Sequence, residues 1–257
     1  MLTLLPQEKE TSEISKAMRP KKISKTPEEV RAMFGAIAHR YDLANHLLSL
    51  NFDRRWRRIT VRQIVRRLGH HAFDALDLAC GTGDLTAALR MATAGRVVGM
   101  DFCHPMLVIG VNKFSKGDDF NRITFAEADA LTLPLSDASF DTVTIAFGLR
   151  NLEDHEEGLS EMHRVLRPGG VLAILEFSRP STPLFRQVYQ FYFSRILPRI
   201  GRMVSGVEGP YSYLPDSVSK FPSQEELRRL MEKIGLVDVE FFNLSGGIAA
   251  LHLGRKG

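Results

Sequence analysis

The chain has 257 residues, of which 44% are hydrophobic and 25% charged, with a formal net charge of +4 and a sequence pI near 9.1. This is ordinary for a soluble globular protein and suits one α/β domain with a sizeable core. The positive excess is too small to argue for nucleic acid. The two cysteines, Cys80 and Cys103, each follow an apolar run and read as small buried residues rather than as a disulfide or metal pair. No uncharged run reaches the roughly 18 residues of a membrane span, and the start lacks the order of a secretory signal, so a cytoplasmic protein is expected.

Residues 1–26 are polar and aperiodic, with five cations and no acid in KAMRPKKISK at 16–25, which reads as a basic tail. Thr26-Pro27-Glu28-Glu29 then opens a helix, with a capping residue, proline in the first turn and acids at the positive dipole end. Helical signal continues through AHRYDLANHLLSL. In DRRWRRITVRQIVRRL, Trp56, Ile59, Ile64, Val65 and Leu68 can share an apolar face. The seven arginines there (54, 55, 57, 58, 62, 66 and 67) lie mostly on the solvated side.

From 73 onward strands and short helices alternate: FDALDLAC, LTAALRMA, RVVGMD, PMLVIGVNKF, ITFAEA, FDTVTIAF, LSEMHRVL and VLAILEF. That order implies right-handed crossovers and a parallel, doubly wound sheet. Arg167-Pro168-Gly169-Gly170 reads as a sharp break between helix and strand. Ser223 caps a helix ending at Gly235, and VDVEFFNL and IAALHLG, with Gly246-Gly247 between them, read as a hairpin that ends the sheet with an antiparallel strand. The expected organisation is a tail at 1–26 and one domain at 27–257. Within that domain we divide a helical cap at 27–70, a core at 71–180, a lid at 181–222 and a C-terminal helix and hairpin at 223–257.

LDLACGTGDL at 76–85 puts a strand, a glycine turn and a helix start in sequence. In such sheets ligands bind outside the carboxyl ends of the strands, where the strand order reverses. Gly81 and Gly83 permit a sharp turn and close approach. Asp101, at the end of RVVGMD, is placed to accept hydrogen bonds from ribose hydroxyls. A dinucleotide would call for a third glycine where Thr86 stands, and Asp77 and Asp84 would oppose a pyrophosphate. Those acids suit S-adenosylmethionine, which carries a sulfonium and an ammonium. Asp129, in EADAL, can face the adenine amine. A nicotinamide oxidoreductase is the weaker alternative.

Beyond the glycine loop, AHRYDLANHLLSLNFDRRWRR, FGLRNLEDHEEGLSEMHRVLRPGG, LEFSRP, SYLPDSVSKFP and NLSGGIAALH resemble the ubiquinone/menaquinone biosynthesis C-methyltransferases from about residue 30 to the end. The resemblance implies a Rossmann-like class I methyltransferase with a seven-stranded sheet. It also implies C-methylation of a polyprenylated quinol, with demethylmenaquinol as the commonest acceptor, and cofactor contacts at Thr82, Asp101, Asp129 and Ala130. Two departures stand out. Ala79 replaces the usual first glycine of the loop, which bears on the backbone there, and Ala146 stands where some members have serine, so a hydroxyl contact to the cofactor is missing.

A quinol carbon becomes nucleophilic when a ring hydroxyl ionises, and a phenol titrates near pH 10. The enzyme must therefore stabilise the oxyanion, accept its proton, or both. Arg150 is too basic to take the proton but can stabilise a phenolate, with Asn151 donating to the same oxygen. The bland alternative pairs Arg150 with Glu153, Asp154 or Glu176. Tyr41 and Asn45 can close over the site, and His39 is the nearest proton acceptor by pKa range, with a surface or packed histidine as its alternative. LFRQVYQFYFSRILPRIGRMV at 184–204 reads either as a core helix or as an amphipathic lid touching the membrane surface. A homodimer is allowed, and no nucleic-acid partner or metal is expected. A soluble O- or N-methyl acceptor and a non-enzymatic quinone-binding subunit are the remaining alternatives.

Overall fold

This computed structural model describes residues 26–49, 51–115, 123–180, 195 and 210–257. Two helices come first, α1 (Pro27–Leu48) and α2 (Phe52–Leu68). Then follow β1 (Ala75–Leu78), α3 (Asp84–Arg90), β2 (Val97–Asp101), α4 (His104–Phe114), β3 (Ile123–Glu127), β4 (Phe140–Ala146), α5 (His155–Val165) and β5 (Leu166–Phe177). The chain ends with α6 (Pro210–Lys220), α7 (Gln224–Lys233), β6 (Leu236–Leu244) and β7 (Ala249–Lys256). Most of the basic tail and of the lid segment lies outside the described residues.

The strands form one seven-stranded sheet in the order β3-β2-β1-β4-β5-β7-β6. β1 to β5 run parallel, and β7 is antiparallel to both β5 and β6. Alternate residues of the central strands feed two cores. Leu76, Leu78, Val143, Ile145, Leu172 and Ile174 pack against α5 and α7, while Ala75, Val97, Val171, Ala173 and Leu175 pack against α2 and α3. Burial on both faces is why these strands read as unbroken apolar runs.

Local signals hold up well. Glu29 N–H donates to Thr26 Oγ1 at 3.4 Å. Ser223 and Glu226 form a capping box, and the helix it opens stops before Gly235 at φ 99°. The Arg167–Gly170 segment differs from its expected role as a separator: β5 already begins at Leu166. Gly169, at φ 77°, and a register shift between Phe140 and Thr142 take up the irregularity inside the strand pair.

His252, on β7, is 2% exposed. Its Nε2 donates to the Gln224 carbonyl at 2.9 Å. Its Nδ1 has no partner among the described residues. Burial pushes its pKa down to about 4 from the ordinary 6.5, and the N-terminus of α7, which starts at Gln224, adds to the disfavour of positive charge. Between those two values the unfolded chain binds a proton that the folded chain refuses. This contribution to stability is therefore complete above pH 6.5 and is lost as pH falls towards 4. Urea melts of wild type and His252→Gln at pH 7 and pH 5 should show wild type losing about 2 kcal/mol more than the variant over that interval. Equal losses would contradict the assignment.

Candidate active site

The strand order reverses between β1 and β4, so their carboxyl ends diverge into a crevice. Each end turns on a left-handed residue that is not glycine: Ala79 at φ 48° and Phe147 at φ 58°. Ala79 thus adopts the conformation that the more usual glycine would favour, at a cost of about 1 kcal/mol. Gly148 makes room for it, since a Cβ there would collide with the Ala79 Cβ.

Two cavities open from the crevice. One is largely apolar, walled by Phe102, Met106, Ala130, Leu131 and Leu152, with Asp101, Asp129, Asn151 and Glu153 at its polar points. The other is acid-lined, with Asp42, Asp77 and Asp84 beside Arg57 and Thr82. Tyr41, Ala79, Gly81, Ala146 and Phe147 line both.

Asp101 accepts from Gly81 N–H and Cys103 N–H, each at 2.8 Å. Burial nevertheless raises its pKa, and among the described residues no cation faces it closely enough to cancel that. Asp77 is 1% exposed and accepts from Thr86 Oγ1 at 2.7 Å and Thr144 Oγ1 at 2.8 Å. Burial pushes its pKa to about 6 against those hydroxyls. Thr86 therefore stands at the third glycine position because its hydroxyl satisfies Asp77. An ionised Asp77 destabilises the ligand-free fold above pH 6. A buried acid without a full counter-charge suits a site that receives a positively charged ligand.

Gly83, at φ 84°, serves packing: a Cβ there would meet Phe125 at 2.8 Å and Phe114 at 2.9 Å. Thr82 donates its hydroxyl to Asp42 at 2.5 Å, which fastens α1 over the loop. Lys113 bridges Asp42 at 2.8 Å and Asp84 at 2.5 Å. Arg57 joins Asp53 at 2.5 Å and Asp84 at 3.4 Å. His46 lies 2.7 Å from Asp53 and 3.6 Å from Asp84. The His46, Asp53 and Asp84 ligand atoms are close enough to hold a cation, but Arg57 and Lys113 already supply the positive charge there. Sequence reading missed this network. The i, i+4 spacing of Asp53 and Arg57 was a local signal of it, whereas the pairing of Lys113 with Asp42 spans 71 positions.

Arg150 is 5% exposed. Its Nη1 donates to Glu176 Oε1 at 2.7 Å and to the Phe147 carbonyl, and the guanidinium lies 5.5 Å from the Phe177 ring centroid. Of the partners weighed from sequence, Glu176 is the one it meets. Arg150 Nε has no partner among the described residues. Asn151 faces the apolar cavity, and Tyr213, unforeseen in the sequence, donates to its Oδ1 at 3.2 Å. Tyr41 lines the junction, where burial raises its pKa, so it keeps its proton at neutral pH. His39 is exposed on α1 and, like Arg150, lines neither cavity.

Residues 21–256 match the model of the ubiE/COQ5 methyltransferase family. The chain belongs to that family. It is 46% identical over 236 residues to the ubiquinone/menaquinone biosynthesis C-methyltransferase UbiE of Geobacter sp. (strain M21), covering 91% of this chain and 99% of that protein. It is 47% identical over 226 residues to the demethylmenaquinone methyltransferase of Thermus thermophilus, covering 87% and 100%. Among solved structures, a SAM-dependent methyltransferase from Thermotoga maritima superposes with a TM-score of 0.58 at 20% identity, covering 88% of this chain and 99% of that one. The [4+2]-cyclase SpnF gives 0.65 at 15% identity over 90% and 97%. A cyclase sharing the fold means that fold alone does not carry the chemistry.

Replacing Gly148 with alanine should lower stability by about 2 kcal/mol through the contact with Ala79. Adding Ala79→Gly should recover at least half of that loss, with Ile145 Cγ1 at 3.1 Å leaving a remainder. Additive losses in this double-mutant cycle, read by chemical denaturation, would show that the two tips do not constrain each other.

Proposed function

We propose that this family member transfers a methyl group from S-adenosylmethionine to a ring carbon of a polyprenylated quinol in menaquinone or ubiquinone biosynthesis. Demethylmenaquinol is the first candidate acceptor, and the corresponding methoxy-polyprenyl-benzoquinol is the second. One observation carries the reading: buried acids without an ion-pair partner at the strand-order reversal, in a chain that matches this family almost end to end. Bound S-adenosylmethionine supplies an electrophilic methyl on a sulfonium.

The chain's own residues divide the remaining work. Asp101 accepts from ribose hydroxyls through its free lone pairs, since each carboxylate oxygen can take more than one donor. Asp129 and Ala130 border the adenine, and Asp77 answers the ammonium. Arg150, anchored on Glu176 and lining neither cavity itself, acts on the developing phenolate oxygen through its charge. Asn151, oriented by Tyr213, donates to the same oxygen, which pushes electron density onto the ortho carbon.

The polyprenyl tail implies contact with a membrane surface. No described helix is long and apolar enough to cross one. On α2, Arg54, Arg55, Arg58, Arg62 and Arg66 are exposed, and Phe52, also exposed, precedes them. A basic face with an apolar residue at one end suits an anionic lipid surface.

The test presents each quinol in anionic vesicles with methyl-labelled S-adenosylmethionine. Label should appear on a ring carbon, and the protein should sediment with the vesicles at low salt. Label on oxygen, or on neither quinol, would overturn the reading. Arg150→Lys should lower kcat by about 100-fold with cofactor affinity changed by about twofold or less. Equal losses in both would remove Arg150 from the oxyanion role.

A further inference from the structure

The five residues lining both cavities mark a junction between the apolar side and the acid-lined side. No acid belongs to that set, although acids lie in each cavity. Two of the five, Tyr41 and Phe147, are aromatic. Phe147 holds its place against backbone strain, at φ 58°. Its N–H donates to the Leu175 carbonyl at 2.8 Å, and its own carbonyl accepts from Arg150 and Asn151. A glycine would make this turn without strain, so the strain retains the ring itself. That ring is braced by Phe177 at 4.6 Å and Trp56 at 6.1 Å between centroids. The Arg57 guanidinium already lies 6.0 Å from its centroid, so the ring accepts a cation as a neighbour.

S-adenosylmethionine has a matching division. Its apolar adenine and its charged amino-acid end are joined at the sulfonium, which carries a permanent positive charge. With the adenosine half in the apolar cavity and the amino-acid half in the acid-lined one, the junction receives the sulfur. We infer that Phe147 and Tyr41 bracket the sulfonium and recognise its charge through their ring faces. This rests on the cofactor reading above. Aromatic walls suit the position better than a carboxylate. A full counter-charge would stabilise the sulfonium most before transfer, when it carries its whole charge, and would raise the barrier. A carboxylate would also be a competing nucleophile for the methyl. Ring faces attract the cation more weakly and offer no such competitor. Tyr41 keeps its phenolic proton, consistent with a wall rather than an anion.

The bracket distinguishes the charged methyl donor from the neutral product, S-adenosylhomocysteine, so the two ligands test it directly. Calorimetry on the full chain should show Phe147→Leu weakening S-adenosylmethionine roughly 2- to 30-fold, with S-adenosylhomocysteine changed by less than about twofold. Tyr41→Leu should shift the ratio in the same direction. Trifluorophenylalanine at position 147 keeps the shape, so it covers the case in which the leucine variant does not fold, and it carries the same expectation. Equal weakening of both ligands, or no change in their ratio, would overturn the inference and leave the methyltransferase reading standing. Failure of the wild-type chain to bind S-adenosylmethionine at all would overturn both.

Discussion

The reversal of strand order between β1 and β4 is the constraint from which the rest of the site follows. Two parallel strands whose connections leave in opposite directions must part at their carboxyl ends, and the chain must turn sharply at each tip. Here both turns pass through left-handed non-glycine residues, Ala79 and Phe147. Their strain persists because the surroundings hold it: Gly148 leaves room for the Ala79 methyl, and Arg150 and Asn151 bond the Phe147 carbonyl. Arg150 in turn is fixed by Glu176 at the end of β5. The acceptor-side residues and the turn that positions them are thus one hydrogen-bonded unit.

Charge is divided unevenly around this crevice. Towards α1, α2 and α4, the carboxylates of Asp42, Asp53 and Asp84 meet Lys113, Arg57 and His46. Burial works against ionisation of Asp42, but hydrogen bonds from Lys113 and Thr82 keep its carboxyl below the usual range. Deeper in, Asp77 and Asp101 have hydroxyls and backbone N–H groups as donors and, among the described residues, no ion-pair partner, Arg57 reaching Asp77 only through its longer-range charge. The first group fastens the helical cap to the glycine loop. The second holds carboxyls where burial works against their ionisation.

Features set by a few neighbouring residues were legible in the sequence. The Thr26 and Ser223 caps, the glycine loop, the alternation of strands and helices and the closing hairpin all follow from local geometry. Asp77, Gly81, Asp101, Asp129, Ala130, Ala146 and Asn151 were likewise found as cavity-lining residues, since strand ends in this topology face the crevice. The choice of Glu176 among three acids for Arg150 was not legible, because it depends on β5 lying beside β4. Nor were the left-handed tips, since neither alanine nor phenylalanine announces that conformation. Tyr213 lies 62 positions from Asn151, and nothing in its own helix points to that contact.

A fold that keeps Asp77 buried without a full counter-charge should use it when a cationic ligand arrives. At pH 6, close to its folded pKa of about 6, roughly half of the Asp77 carboxyls carry a proton. The most direct measurement is proton exchange on binding S-adenosylmethionine at that pH, read by calorimetry in buffers of different ionisation enthalpy. Wild type should release about half a proton per ligand bound, and Asp77→Asn should release correspondingly less. Proton uptake, or identical release from both proteins, would contradict a site built around a buried acid awaiting a cation.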